Sequence, residues 1–318
     1  MAEVALQTTK RPTKRKFTWH AIQNDFRLNK TLLLMFLPVL AYYIIFHYGP
    51  MYGLQIAFRD FKPRRGFFGS EWVGMKHFID FFTGPYAWRL TRNTLALSIG
   101  QLIFGFPLPI IFALLLNEVQ NRVFKRVTQT VTYLPYFISL VVVAGLLVNF
   151  LAKDGVINDI IAFFGGERKS WLQEESAFRT IYIASGIWQQ LGWGSIIYLA
   201  AIAGIDQELY EAARIDGAGR FKQALHITIP GIAPTIIILL ILRMGTLMNI
   251  GFEKVILLYN ASTYETADVI SSYVYRIGII ENDFSFSTAV GLFNSVINFG
   301  LILISNRLSR KFSGTSLW

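Results

Sequence analysis

The sequence predicts an all-α fold, a bundle of six membrane-spanning helices, and three observations support that prediction. Only 16% of the 318 residues are charged, whereas soluble domains carry about 25%. Hydrophobic residues make up 53% of the chain, and its mean hydropathy is +0.43. Several apolar stretches reach the ~20 residues that a helix needs to cross a bilayer. Lipid rather than water is therefore expected around most of the chain.

The apolar stretches follow one another with short connections. We place the six spans at residues 31–49, 94–116, 128–150, 180–203, 232–250 and 286–305. Prolines inside the second span are tolerable because neighbouring helices can satisfy the backbone groups that they leave free. The chain then divides into a basic N-terminal segment, 1–30, one membrane domain, 31–306, and a C-terminal tail, 307–318.

The distribution of Lys and Arg predicts the orientation. Basic residues crowd the segment before the first span, and no small-x-small cleavage site follows that span, so we expect it to stay uncleaved. Alternating segments then place more Lys and Arg on the cytoplasmic side, with both termini and residues 204–231 there. The outer loop with Arg59, Lys62, Arg64 and Arg65 breaks this rule. It either attracts an acidic ligand or partner, or it is simply a solvated loop. Part of 70–82 is expected as a short helix at the membrane surface.

Several function classes are disfavoured by composition. The chain has no cysteine, which excludes disulfides and cysteine-ligated zinc, and its four histidines are scattered, so no metal site is expected. The net charge of +10 is explained by basic flanks of membrane spans, and we expect lipid rather than nucleic acid as the contact. No P-loop and no nucleophile–base pair can be assembled, so the chain is not expected to be an enzyme.

One polar stretch, ELYEAARIDGAGRFKQALHITIP at 208–230, separates two apolar runs. Asp206 is suited to cap a helix, and Asp216-Gly217 is a turn signal because glycine permits a positive φ. A second short helix with Phe221 on its apolar face should follow, and Pro230 should stop it before the fifth span. The pattern predicts a helix–turn–helix elbow whose apolar ridge fits a groove on a partner.

The spacing within this elbow carries a resemblance. Glu211-Ala212-Ala213, three residues, Gly217, nine residues, Ile227 and Ile229-Pro230 resemble the EAA motif of ABC importer permeases, with Ile229 where leucine is usual. Further segments resemble the carbohydrate permeases of the polysaccharide branch, and the resemblance covers most of 25–312. These segments are residues 48–53, 113–118, 133–135 and 264–268.

The resemblance implies one subunit of a type I importer in a bacterial inner membrane. In such importers an extracytoplasmic solute-binding protein delivers an oligosaccharide to two permeases, usually two different chains. Two cytoplasmic ATPase subunits drive alternating access, and each grips one elbow. ATP and Mg would then bind the partner ATPase, and this chain would hold no cofactor.

The same resemblance assigns roles to residues of the elbow. Glu211 would meet a basic residue of the ATPase, Ala212 and Ala213 would permit close approach, and Gly217 would allow the bend. The coupling set is completed by Asp216, Phe221, Ile227 and Pro230. Alternatively, the elbow only caps the fifth span against its neighbours.

Polar side chains within the spans are candidates for a substrate pathway. Arg243 lies within the fifth span, where a cation is costly, so it should face protein or a wet cavity. It either contacts an acidic or hydroxyl-rich sugar, or pairs with a carboxylate or helix-end carbonyls. The other candidates are Trp188, Gln189, Trp193, Asn249, Asn294 and Asn298. Tryptophan is also an interface anchor and amides also join helices, so structural roles stay open.

An alternative class is an ion-coupled secondary transporter or channel subunit. Such proteins commonly show inverted repeats and mid-membrane carboxylates, and neither is clear here. Arg243 and the basic outer loop favour acidic saccharides such as uronate oligomers, while the sequence does not name the sugar.

Overall fold

A computed structural model describes residues 28–318. Residues 1–27, most of the predicted basic segment, lie outside the described residues. The described chain forms two compact units, one ending at Gln55 and one spanning Ile56–Trp318.

The described residues are helical almost throughout, as the sequence predicts. The longer helices are α1 (Lys30–Phe58), α2 (Lys76–Thr83), α3 (Ala87–Glu118), α4 (Arg122–Phe137), α5 (Leu140–Phe150), α6 (Val156–Phe163), α7 (Glu175–Ala203), α8 (Gln207–Ile215), α9 (Arg220–Met244), α10 (Phe252–Leu258), α11 (Ile270–Tyr275) and α12 (Phe284–Ser313). Single helical turns lie at Gly66–Gly69, Trp171–Gln173, Ala261–Thr263 and Tyr264–Ala267. A π turn, Arg276–Ile280, follows α11.

Helix α1 contains the predicted first span and extends beyond it. It passes through a π turn, Ile44–Tyr48, and ends in 3₁₀ geometry at Tyr52–Phe58. Within the first unit, no residue between Lys30 and Met51 is buried, and most of this segment is apolar.

A two-stranded sheet and a short helix follow α1. Strands β1 (Arg59–Asp60) and β2 (Glu71–Trp72) pair antiparallel, with Arg59 opposite Trp72. Helix α2 forms where a surface helix is predicted, although shifted to 76–83, and it packs on α12 through Phe81 and Phe293, whose rings lie 5.9 Å apart. Its place at a membrane surface stays a prediction.

The second and fourth predicted spans each form one helix, α3 and α7, and each is longer than predicted. The two helices pack along one another and bury Ala113, Tyr198 and Ile202 together with Ile232 of α9. Gly192 of α7 lies against the backbone of Thr132 in α4, where a β-carbon would clash. The close approach of α7 to α4 therefore requires glycine at position 192.

The third predicted span, 128–150, is wrong as a straight helix. Helices α4 and α5 meet at a break and are bent by 101°. Pro135 lies in a short 3₁₀ segment, and Ser139 begins α5 by accepting a hydrogen bond from the Val142 backbone N–H. Pro135 has no backbone N–H with which to continue the α-helical hydrogen bonds, the chain becomes extended at Ile138 and Ser139, and the Ser139 N-cap starts the next helix.

The fifth predicted span, 232–250, is wrong at both ends. Helix α9 starts at Arg220 and continues through Pro230, so this proline does not separate the elbow from the span. A π turn, Ala224–Thr228, precedes the proline and widens the helix where the proline cannot donate. The helix ends at Met244, which leaves Asn249 in a non-helical segment and Arg243 in the last turn rather than mid-span.

The six-span count stays a prediction. Within residues 28–318, four helices, α1, α3, α9 and α12, are long and apolar enough to cross a membrane, and the bent pair α4–α5 makes five if it counts as one span. Helix α7 has 29 residues but is not among them. Helix α12 extends the predicted sixth span to Ser313, into the predicted tail.

Candidate functional site

The polar elbow begins with the helix cap that the sequence predicts. The Asp206 carboxylate accepts a hydrogen bond from the Glu208 backbone N–H at 3.0 Å, and Glu208 lies in the first turn of α8. An acid at this end of a helix is favoured by the helix dipole. The start of the elbow is therefore fixed by its own sequence.

Gly217 produces the turn between α8 and α9. Its φ is +76°, and the Ala218 N–H donates to the Ala213 carbonyl at 2.8 Å while the Gly217 N–H donates to Arg214 at 3.1 Å. This is the glycine-terminated helix end in which the last carbonyls find partners beyond the helix. Asp216 precedes the glycine as an exposed helix cap.

The elbow presents an apolar ridge to its surroundings. Ile215 and Phe221 are 87% and 81% exposed, and Leu209 and Leu225 are about half exposed. Glu211 and Ala212 are also exposed, and Ala213 is half-buried. Glu211 forms no ion pair with any residue in the described range. The motif residues are thus available to another molecule.

Three contacts that the sequence did not indicate hold the elbow on the helices behind it. The Tyr210 hydroxyl lies 2.9 Å from the Thr228 hydroxyl, and Gln223 donates to the Ala218 carbonyl at 2.6 Å. Arg220 reaches Glu118, at the end of α3, across 3.6 Å. Ile227 is half-buried in the adjoining π turn. These contacts therefore join the elbow to α9 and α3.

A second feature is a cavity at the other end of α9, polar in one part and mainly apolar in the other. It consists of two adjoining spaces of about 470 and 250 Å³, which share Gln101, Gly186, Gln190 and Arg243. The larger space is mainly apolar. The smaller one is lined by Gln189, Asn249 and Lys254 among other polar residues. None of the residues that line either space is Asp or Glu.

Arg243 donates to the Gln101 side-chain oxygen at 3.3 Å across this cavity. Gln101 is the first residue of a π turn, Gln101–Gly105, that interrupts α3. Arg243 lies at a helix C-terminus, where the dipole favours a cation. The carboxylate partner left open by the sequence is absent among residues 28–318, and a pathway role for Arg243 stays a prediction.

Lys254 was missed because the sequence placed it in an outer loop. It is 7% exposed, and its ammonium donates to the Tyr182 carbonyl at 2.9 Å and lies 4.6 Å from the centre of the Tyr182 ring. The chain leaves α9 at Met244 and turns back into α10, which carries the lysine inward. The signal in the sequence was the position of the lysine, only a few residues beyond the end of an apolar span.

The remaining predicted pathway residues do not all converge on the cavity. Gln189 and Asn249 line it. Asn294 and Asn298 are buried and donate to the Asn249 side-chain oxygen at 3.1 and 2.9 Å, which joins α12 to the non-helical segment after α9.

The two predicted tryptophans do not line either space. Trp193 stacks on Tyr136 with ring centres 4.5 Å apart, and Trp188 is 47% exposed. Trp193 thereby joins α7 to the break after α4. The substrate roles of the tryptophans and of the two asparagines of α12 stay untested predictions.

Comparison with known proteins gives consistent matches. Residues 105–314 match the family described as binding-protein-dependent transport system inner membrane component. The polygalacturonan/rhamnogalacturonan transport system permease protein YteP of Bacillus subtilis (strain 168) is 48% identical over 91% of this chain and 90% of its own length. The arabinooligosaccharides transport system permease protein AraP of the same organism is 25% identical over 87% of each chain.

Solved structures of similar chains have the same fold. A chain of a bacterial alginate ABC transporter, in complex with an alginate pentasaccharide-bound periplasmic protein, superposes with a TM-score of 0.86. It is 42% identical and the match covers 93% of this chain and 99% of that one. A second structure, of a bacterial ABC transporter that imports the acidic polysaccharide alginate, also gives 0.86 at 43% identity, covering 92% of this chain and 99% of that one.

Proposed function

Since this chain belongs to the family of binding-protein-dependent transport system inner membrane components, we propose that it is the permease subunit of an ABC importer for oligosaccharides. One observation carries the proposal: a single helix, α9, has the exposed elbow at its first turn and the cavity residue Arg243 at its last. A 25-residue helix spans about 37 Å, enough to connect a cytoplasmic surface with a site deep in the membrane.

The energy for transport enters through the elbow. The exposed ridge and Glu211 dock in the cleft of a cytoplasmic ATPase subunit, which binds ATP and Mg. Movement of that subunit displaces α8, and the contacts of Tyr210 and Arg220 pass the displacement to α9 and α3. The cavity between these helices and α7 then opens to alternate sides.

An oligosaccharide fits the lining of the cavity. Side-chain amides of Gln101, Gln189, Gln190 and Asn249 line the cavity and supply hydrogen-bonding groups for sugar hydroxyls, with Gln101 and Asn249 offering their N–H donors. The larger space adds apolar surface for sugar C–H groups. The name of one relative, the polygalacturonan/rhamnogalacturonan permease, and the two alginate transporter structures point to acidic polysaccharides, and a cavity with cations and no lining acid supports that class.

The complete importer needs further chains. A second permease, different from this one, completes the pathway, and two ATPase subunits bind the two elbows. An extracytoplasmic solute-binding protein delivers the saccharide, as the bound periplasmic protein of the alginate transporter suggests.

ATP-dependent uptake tests this function. The complex that copurifies with this chain is reconstituted in proteoliposomes with its binding protein and labelled trigalacturonate. We expect uptake to require both ATP and the binding protein and to persist when ionophores collapse ion gradients. Uptake that continues without ATP and stops with ionophores would support the ion-coupled alternative and contradict the proposal.

A further inference from the structure

Two cations face one cavity that has no lining acid. Arg243 and Lys254 both line the smaller space. Neither forms an ion pair with any Asp or Glu between residues 28 and 318. Cations withdrawn from water are costly unless an opposite charge and hydrogen bonds compensate them, and two like charges add to that cost.

The Lys254 ammonium has more N–H donors than the hydrogen bond to Tyr182 uses. Its ammonium has three N–H groups and donates to the Tyr182 carbonyl at 2.9 Å. The side chain is 7% exposed, so water access is limited to the cavity itself. At least one strong donor of this ammonium is therefore left for a molecule inside the cavity.

Gln101 contacts Arg243 and lies beside Gly186, as does Lys254. Its side-chain oxygen accepts from Arg243 at 3.3 Å, so its amide nitrogen points the other way. A β-carbon at Gly186 would lie 2.7 Å from that nitrogen and 3.4 Å from the Lys254 ammonium. The missing side chain lets the Gln101 amide and the Lys254 ammonium lie on the same side of Gly186.

We propose that Lys254 and Arg243 form a subsite for one carboxylate of the transported saccharide, and this deepens the function proposed above and rests on it. The substrate class is a uronate oligomer. One carboxylate oxygen accepts from the Lys254 ammonium, and the guanidinium of Arg243 donates to the other. Gln190 and Asn249, which line the same space, meet ring hydroxyls.

The subsite explains how charge selects the substrate. A uronate brings the compensating charge that the cavity lacks, whereas a neutral sugar leaves both cations without it. A hydrogen bond to a charged group contributes about 1.5–3 kcal/mol, which corresponds to roughly 10- to 100-fold in affinity. The cavity should therefore reject the neutral form of an otherwise identical saccharide.

Paired substrates isolate this charge. Trigalacturonate and its full methyl ester share rings, linkages and hydroxyls and differ in the carboxylates. ATP-dependent uptake of both is measured in proteoliposomes for wild type, Lys254→Gln and Lys254→Arg. The same binding protein delivers both substrates, so its own preference cancels when each variant is compared with wild type.

We expect Lys254→Gln to raise the KM for trigalacturonate at least tenfold and to leave that for the ester within twofold, with Lys254→Arg close to wild type. Equal loss for both substrates would mean that Lys254 only supports the fold, and would overturn the subsite. Wild type that imports neither would contradict the proposed oligosaccharide function itself.

A second variant covers the case in which Lys254→Gln does not fold. Gln190 is exposed in both spaces of the cavity, so Gln190→Glu places an acid beside the cations with little change of shape. Both substrates lose the Gln190 amide contact, but only the uronate meets a like charge, so the KM for trigalacturonate should rise at least tenfold more than the KM for the ester. The matched control is Gln120→Glu, the same change at an exposed position after α3. A Gln190→Glu variant that transports trigalacturonate as well as this control would overturn the proposal.

Discussion

Gly217 determines the shape of the elbow through its backbone rather than through space. Its φ is +76°, yet a β-carbon built there meets no atom within 4 Å. Gly219, two residues later, is equally open but has a φ of −67°. Because neither glycine is crowded, a comparison of the two tests the effect of the positive φ alone.

We predict that Gly217→Ala destabilises the elbow by about 1 kcal/mol, because a left-handed conformation is unfavourable for alanine. Amide hydrogen exchange at residues 213–218 should become roughly fivefold faster. Gly219→Ala should change the exchange rates little. Equal rates in the two variants would show that the turn does not depend on its positive φ.

Single residues also show where sequence reasoning succeeds and fails. Asp206 and Gly217 predicted the start and the turn of the elbow, because local capping and turn chemistry fix both. Lys254 could not be found in this way, since its burial depends on a turn of the chain after α9 that hydropathy does not reveal. The i, i+4 spacing of Asn294 and Asn298 placed both on one face of α12 but could not distinguish a pathway from a contact with Asn249.

At the scale of elements, the buried carboxylate of Asp268 joins the loop before α11 to α3 and to the turn after α11. Asp268 is fully buried and accepts from Arg276 at 2.7 Å and from Arg89 of α3 at 3.3 Å. Burial lowers the pKa of Arg276, but hydrogen bonding and attraction from Asp268 outweigh it and leave the pKa above its ordinary value. The loop before α11 is thereby fixed to α3.

We predict that Asp268→Asn lowers the stability of the purified complex by about 3 kcal/mol, because Arg276 loses its carboxylate partner and Arg89 keeps only the half-exposed Glu265, 3.8 Å away. Thermal unfolding in detergent measures the effect. The control is Asp159→Asn, which breaks an exposed ion pair to Arg168 and should cost at most ~1 kcal/mol. Similar losses in the two variants would contradict a special role for Asp268.

The elements also show why span boundaries were only partly predictable. The break between α4 and α5 was readable in Pro135 and Ser139, which hydropathy averaging conceals. Pro230 predicted a helix end that the structure does not have, because a π turn precedes the proline and the helix continues through it. Apolar runs report burial in lipid, whereas proline and capping residues decide where a helix bends, and the two signals have to be combined.

For the whole molecule, the account depends on one connection: α9 joins an exposed elbow to a cationic cavity. The elbow contacts Glu118 of α3 through Arg220, and Gln101, within the same helix α3, contacts Arg243. Two helices therefore link both ends. ATP hydrolysis on a partner can act on the cavity only if the elbow holds that partner.

Copurification from membranes tests this central claim most directly. The tagged chain is isolated in mild detergent at native expression, and its partners are identified by mass spectrometry for wild type, Glu211→Lys and Glu281→Lys. Glu281 is exposed in the predicted outer segment, so it is the matched charge reversal.

We predict an ATPase and a second permease with wild type and with Glu281→Lys, and loss of the ATPase alone with Glu211→Lys. Retention of the ATPase at wild-type amounts by Glu211→Lys, or an intact wild-type complex without any ATPase, would contradict the account.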